Sequence, residues 1–131
     1  MLSDPNQIEL RFMDNPSTAK GEYICVEVDI EKVLQSWQQS VFAKNWLDEK
    51  AHLKPFESLD ENDQQRLLDV KTKIEAGEAI PYPVLGIGLM DHIEIGSARA
   101  IFIYLCALGH TSMAVHIPAS NEQDFKEFLS D

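Results

Sequence analysis

Positive charge is what this chain lacks most. Lysine and arginine together number 11 against 22 aspartates and glutamates, so the formal net charge is −11 at pH 7. After Lys73 the only cations are Arg99 and Lys126, against eight carboxylates. A field of this sign repels phosphate backbones at long range, so we expect no nucleic-acid partner, and a basic protein partner is the natural electrostatic complement. An acidic surface that only keeps the chain soluble would have the same composition.

Cysteine is also scarce. Cys25 and Cys106 stand 81 positions apart, without a CxxC or Cys/His spacing. We therefore predict two small core residues rather than a disulfide scaffold or a zinc site. His92, His110 and His116 fall within 25 residues, and His92 and His116 could meet across neighbouring strands. No carboxylates follow the spacing of a known metal site, so we predict surface histidines, no metal and no cofactor.

No apolar run is long enough to cross a bilayer, because the longest, residues 100–108, has nine residues. Residues 1–15 contain no basic region followed by an apolar core, so no secretory signal is visible. We therefore expect a cytoplasmic protein without membrane insertion.

The most organised stretch is residues 83–118. Apolar residues from Val84 to Ile95, interrupted at Asp91 and His92, predict a β-ribbon. Ser97 stands where it could cap a helix over residues 98–108, which Gly109 would end. A strand over residues 113–117 follows. Because the helix has no polar face, we expect it to be enclosed on all sides.

The remaining elements follow from periodicity and capping residues. Trp37 and Trp46 lie at helical spacing and are predicted to be core residues rather than an exposed recognition pair. In the first part of the chain we predict an arm or edge strand within residues 1–21, a strand over 22–28, and a helix capped by Asp29 with a break near Gln39 and Ser40. A loop over residues 53–59 then leads to a helix over 61–76 that buries Leu67, Leu68, Val70 and Ile74. A last helix is predicted to begin at Ser120 and Gln123.

These elements predict one domain over residues 1–131. The chain is long enough to bury a core of its own, without help from a metal or a disulfide. The mixture of strands and helices indicates an α/β or α+β fold with a small mixed sheet and surrounding helices.

One segment has the chemistry of an anion site. Gly96 would let the backbone approach an anion, and the amides of Ser97, Ala98 and Arg99 would point at it from the start of a helix. Arg99 could then fork onto two phosphate oxygens. The alternative is a capping serine followed by an arginine that pairs with Glu94 or Asp91.

Residues 74–118 resemble the ParB/sulfiredoxin superfamily. The resemblance lies in the order helix, Gly-Glu-Ala-Ile-Pro-Tyr-Pro-Val, strand, I-x-x-G-x-x-R, helix, Leu-Gly and a strand ending in Ile-Pro. In that superfamily a glycine and an arginine at the start of a helix bind nucleotide phosphates, which implies binding by Gly96 and Arg99. The acidic position before the glycine is Ile95, and the histidine or first arginine position is Ala98. These departures, and the missing sulfiredoxin cysteine, argue against metal-dependent and cysteine-reducing chemistry.

Within the superfamily, the layout is similar to that of plasmid fertility-inhibition proteins, which block DNA transfer through a type IV secretion apparatus. The resemblance therefore implies an accessory or inhibitory protein that acts through protein contacts, with no catalytic residues. The alternative is a nucleotide-phosphate-binding enzyme, an ATPase or DNase, that uses Gly96, Ser97 and Arg99. Because oxygen ligands for a metal are missing near the arginine, we favour the first hypothesis and expect nucleotide binding to be weak at best.

Overall fold

A computed structural model describes residues 10–130 of the chain. The described chain forms six strands and three α-helices, in the order predicted for a mixed α+β domain. They are β1 (Phe12–Met13), β2 (Tyr23–Asp29), α1 (Ile30–Trp37), α2 (Glu61–Glu75), β3 (Ile80–Pro81), β4 (Val84–Ile87), β5 (Ile93–Ser97), α3 (Arg99–Ala107) and β6 (Ser112–Pro118).

The main sheet has four strands in the order β2-β6-β4-β5. Strand β6 is antiparallel to β2 and parallel to β4, while β4 and β5 form the predicted antiparallel ribbon. The prediction of a small mixed sheet is therefore confirmed. Strand β1 pairs in parallel with β3, so Phe12–Met13 form a strand, in agreement with the edge-strand alternative predicted for residues 1–21. Residues 1–9 of that segment lie outside the described residues.

Helix α3 is enclosed over its middle, as its composition predicts, whereas Ala100 and Cys106 are partly buried and Ala107 is exposed. Every residue from Ile101 to Leu105 is buried, and α2 packs along α3. The buried residues of α3 belong to one core cluster with those of the sheet and of α1. Gly109 ends this segment at a φ of 100°, a left-handed conformation that glycine adopts without steric cost. None of the helices within residues 10–130 is both long and apolar enough to cross a membrane.

Helix α1 crosses from the β2 end of the sheet to its β5 edge and breaks where predicted. Asp29 caps it by accepting a hydrogen bond from the Lys32 amide, and α1 contacts both β2 and β5. After the break, the Ser40 hydroxyl accepts from the Phe42 amide and starts a 3₁₀ helix, Val41–Asn45. Trp37 and Trp46 are both buried, so the prediction that they are core residues is confirmed.

Besides the prediction of surface histidines, four sequence predictions are wrong, and in each a tertiary contact outweighs a local pattern. Residues 119–128 form two 3₁₀ turns instead of the α-helix predicted from Ser120. Leu68 faces solvent on α2, and Cys25 is exposed on β2 rather than buried. Cys106 is only partly buried, although burial raises the pKa of its thiol to about 11. The fourth, the cap at Ser97, belongs to the candidate site.

The enclosure of α3 gives a direct test. Leu105 is 1% exposed, so Leu105→Ala should lower the free energy of unfolding by about 2–5 kcal/mol through lost transfer energy and a new cavity. Leu68→Ala is the matched control, because its side chain is 43% exposed on α2 and should cost less than about 1 kcal/mol. Urea unfolding measures both, and equal losses in the two variants would show that α3 is not the core.

Candidate functional site

The predicted anion-binding residues lie at the junction between β5 and α3, but only Arg99 belongs to the helix. Gly96 is an extra residue in β5, because Val84 pairs with Ser97 while the next residue, Leu85, pairs with Ile95. Ser97 ends the strand. Ala98 occupies the N-cap position at φ 57° and ψ 37°, with no side-chain cap.

The prediction that Ser97 caps the helix is therefore wrong. The Ser97 hydroxyl instead accepts a hydrogen bond of 3.0 Å from the Asn15 side-chain amide. The same Asn15 nitrogen donates to the Tyr82 carbonyl, and the Asn15 oxygen accepts from the amide and hydroxyl of Ser17. Because Asn15 is buried and fully bonded, it holds Ser97 in the strand and joins the N-terminal segment to two later parts of the sheet region.

Arg99 turns back over the sheet. Its Nη2 donates to the Ile95 carbonyl at 3.1 Å, and its guanidinium carbon lies 4.9 Å from the Phe42 ring centroid and 5.9 Å from that of Trp37. Burial lowers the pKa of Arg99, while the nearby charge of Glu94 acts to raise it. No ion pair within 4.0 Å joins Arg99 to Glu94 or Asp91 among the described residues. The guanidinium is therefore held by a backbone carbonyl and two aromatic rings.

Arg99 and Ser36 together cover the outer edge of the main sheet. Strand β5 is an edge strand, so backbone groups of alternate residues point away from β4. The Ser36 hydroxyl accepts a hydrogen bond of 2.9 Å from the Ile93 amide, and Arg99 donates to the Ile95 carbonyl. Side chains thus occupy groups that another strand would need for pairing, which protects the sheet against edge-to-edge association.

A cleft of about 490 Å³ lies beside Arg99. On its floor, Glu94 accepts a 2.7 Å hydrogen bond from the Ser40 hydroxyl through one oxygen and contacts His92 Nε2 at 2.7 Å through the other. Both oxygens of this carboxylate are engaged, and Ser40 is almost completely buried. The network ties the 3₁₀ helix to the sheet edge, and it presents no exposed hydroxyl nucleophile.

The rim of this cleft is apolar. Phe42 lines it, together with Leu89 and Met90 from the tip of the β4–β5 hairpin. The side chain of Phe42 is 53% exposed, that of Leu89 103% and that of Met90 77%. Val41, next to Phe42 in the chain, is 70% exposed. We call these four residues the hairpin-tip surface.

The hairpin turn does not need these apolar residues. It closes through Gly88 and His92, whose amide and carbonyl are 2.8 Å apart, and Asp91 takes the left-handed conformation at φ 62°. Turn positions of this kind favour glycine, asparagine, aspartate and serine. Sequence reasoning overlooked this surface, although Leu89 and Met90 between Gly88 and Asp91 were a visible signal.

A larger depression, of about 600 Å³, lies between Asp91 and residues 123–128, and two others, of about 850 and 680 Å³, lie beside residues 50–54. The last two are lined by Lys50, His52 and Lys54. None of the exposed large apolar side chains of the described chain lines any of these depressions. They therefore lack the feature that distinguishes the cleft beside Arg99.

The prediction of surface histidines is wrong for His92 and His116, which are 7% and 9% exposed, and the histidines do not form a shared site. His92 contacts Glu94, whereas His116 lies 4.0 Å from Asp14 and packs against the Tyr82 ring. Within residues 10–130, no group of three histidine, cysteine, aspartate or glutamate side chains is placed to hold a metal ion.

No family model, curated protein or solved structure matches the chain. Its function is therefore inferred from its own residues, and the hairpin-tip surface with the cleft beside Arg99 is the candidate functional site.

A substitution of Arg99 tests whether its side chain protects the outer edge of the main sheet. Arg99→Met keeps a long side chain but removes the donor to Ile95, so we expect a loss of about 1–3 kcal/mol in the free energy of unfolding. We also expect concentration-dependent association, because the sheet edge is less protected. Urea unfolding and light scattering measure the two effects.

Arg11→Met is the control, because the Arg11 side chain is exposed on the N-terminal segment. It should change stability by less than about 0.5 kcal/mol. If Arg99→Met is as stable and as monodisperse as Arg11→Met, Arg99 does not protect the edge.

Proposed function

We propose that this chain is a non-catalytic accessory or inhibitory protein that acts by binding another protein through the hairpin-tip surface. The observation that carries the proposal is the exposure of four large apolar side chains, three of which line one cleft while the fourth, Val41, is next to Phe42 in the chain. Single exposed apolar residues are common in proteins, but a contiguous apolar group with a polar surround is typical of an interaction site.

The shape of the hairpin supports the proposal. Leu89 is fully exposed and Met90 nearly so, which means that neither contributes to the core of the isolated chain. Their burial against a partner would gain free energy that the fold itself does not use. Phe42 lines the same cleft, and aromatic residues and methionine are enriched in the buried centres of protein interfaces.

The alternative of a nucleotide-binding ATPase or DNase finds less support at the same junction. The Ser97 hydroxyl accepts from Asn15, and Arg99 donates to Ile95 through Nη2 and is stacked against Phe42. A phosphate bound by the remaining guanidinium nitrogens would lie in a part of the chain with excess negative charge. This opposition of charge favours a scaffold over an enzyme.

The process in which the protein takes part is proposed from the resemblance to the ParB/sulfiredoxin superfamily and its fertility-inhibition members. On that basis the partner is a protein of a conjugative DNA-transfer apparatus, and the chain blocks transfer in the cytoplasm of the donor cell. The hairpin-tip surface would then be the part of the scaffold that the partner contacts.

Calorimetry separates the scaffold from the enzyme. ATP and CTP, each with and without magnesium, should bind no more tightly than about 1 mM, because one charge-assisted contact and a helix end barely offset the cost of immobilising the ligand. No turnover should accompany binding. Micromolar affinity that disappears in Arg99→Ala would contradict the scaffold and restore the nucleotide-binding enzyme.

A mating assay tests the surface and the process. Donor cells that carry a conjugative plasmid and express the wild-type chain should transfer the plasmid at least tenfold less often than donors without it. The double variant Leu89→Ser with Met90→Ser should restore transfer, because it removes the apolar contacts without touching the core.

The control is Met13→Ser with Leu68→Ser, which changes the same two residue types at positions 44% and 43% exposed elsewhere. It should inhibit transfer as the wild type does, at the same protein level. Inhibition by the Leu89 and Met90 variant at full strength would argue against the surface. The absence of inhibition by the wild type would argue against the conjugation assignment.

A further inference from the structure

The sheet edge beside the hairpin-tip surface restricts how a partner can bind. A partner segment that added a strand to β5 would need the outward-facing Ile93 amide and Ile95 carbonyl. Ser36 occupies the first group and Arg99 the second. The partner therefore contacts side chains rather than extending the sheet at this edge.

Charge restricts the partner further. Asp91 stands exposed on the hairpin and Glu94 is partly exposed in the cleft, while the guanidinium of Arg99 lies against Phe42 and Trp37. A second copy of this chain would bring another −11 charge and the same carboxylates to the contact. Like charges that meet at an interface weaken binding, so they disfavour a second copy of this chain. Opposite charges strengthen binding, so they favour a basic partner.

The shape of the cleft indicates the form of the partner segment. Apolar side chains from two separate parts of the chain line a concavity of about 490 Å³, together with Gly88 and Gly96. A Cβ added at Gly96 would contact the Val84 carbonyl oxygen at 3.6 Å, and one added at Gly88 would lie 3.1 Å from the Glu94 side chain, so the absence of these two side chains leaves room in the cleft. Side chains one turn apart on a helix are about 5–6 Å apart and can enter such a groove together.

We propose that the hairpin-tip surface binds a basic amphipathic helix of a partner protein. This inference rests on the proposed function and specifies its partner. Apolar residues at positions i and i+4 of the helix contact Phe42, Leu89 and Met90. A lysine or arginine next to them pairs with Asp91, and the negative charge of Glu94 in the cleft adds to the attraction. The class of ligand is thus a helix with one leucine-rich face and a cationic flank.

The test is an NMR titration of the full ¹⁵N-labelled chain at physiological salt. The probe is a synthetic amphipathic helix made of leucine and lysine. The comparison peptides are the same helix with glutamate in place of lysine, and a peptide of alternating leucine and lysine, whose period suits a strand. We expect the basic helix to shift the amides of Phe42, Leu89, Met90 and Gly96, and to bind at least tenfold more tightly than either comparison peptide.

Three variants make the assignment specific. Leu89→Ser with Met90→Ser should weaken binding of the basic helix at least tenfold, whereas Met13→Ser with Leu68→Ser should leave it unchanged. Asp91→Asn keeps a residue that tolerates the left-handed conformation and removes one charge, so it should weaken binding about twofold to fivefold, as expected for an exposed ion pair.

The outcomes separate this inference from the proposed function. If the strand peptide or the acidic helix binds as well as the basic helix, and binding still depends on Leu89 and Met90, the basic-helix inference is wrong while the surface remains a protein-binding site. If no peptide shifts these amides, or if the serine variants bind every peptide as the wild type does, both the inference and the proposed surface are wrong.

Discussion

The constraint on which the structure depends is that α3 has no polar face. A helix of this composition is stable only when other elements cover most of its surface, because exposing its apolar side chains to water costs hydrophobic free energy. Helix α2 packs along it, and the sheet and α1 complete the same core cluster. The other elements are therefore arranged around α3 so that they cover its apolar side chains.

The enclosure also decides what Arg99 does. Arg99 is the first residue of α3 and the only charged residue in that helix, so its side chain has to leave the core at the point where the helix begins. That point lies beside the edge strand β5, where a backbone carbonyl and two aromatic rings receive the guanidinium. Arg99, which suggested a phosphate site in the sequence, thus covers the outer edge of the sheet. The apolar residues that remain without cover are those of the hairpin-tip surface.

Most of the fold could be predicted from the sequence because its signals are local. Period-two alternation gave β2, and capping aspartates gave the starts of α1 and α2 within one residue. Ser97 shows where local signals end: it has the residue type and position of a cap, but Asn15, 82 residues away, takes its hydroxyl. The exposure of Cys25 likewise depends on which side of β2 the helices cover.

The candidate site was predictable only in part. Gly96, Ser97, Ala98 and Arg99 do lie together at one junction, next to the cleft that Gly96 and Arg99 line. Their partners could not be read from the sequence, because Phe42 and Ser40 reach the cleft only after α1 has crossed the sheet. The exposure of Leu89 is a property of the assembled surface, whereas a sequence window shows only an apolar residue in a turn.

The contacts of Asn15 also have a consequence for the order of folding. Asn15 is bonded to partners 67 and 82 residues away, so these bonds close very long loops, whereas β4, β5 and α3 are neighbours in the chain. Long-range contacts carry their entropic cost before they return any stability, so they form late. The segment around Asn15 can make these bonds only after Tyr82 and Ser97 have been synthesised, so it docks onto a ribbon and helix whose own local contacts can already have formed.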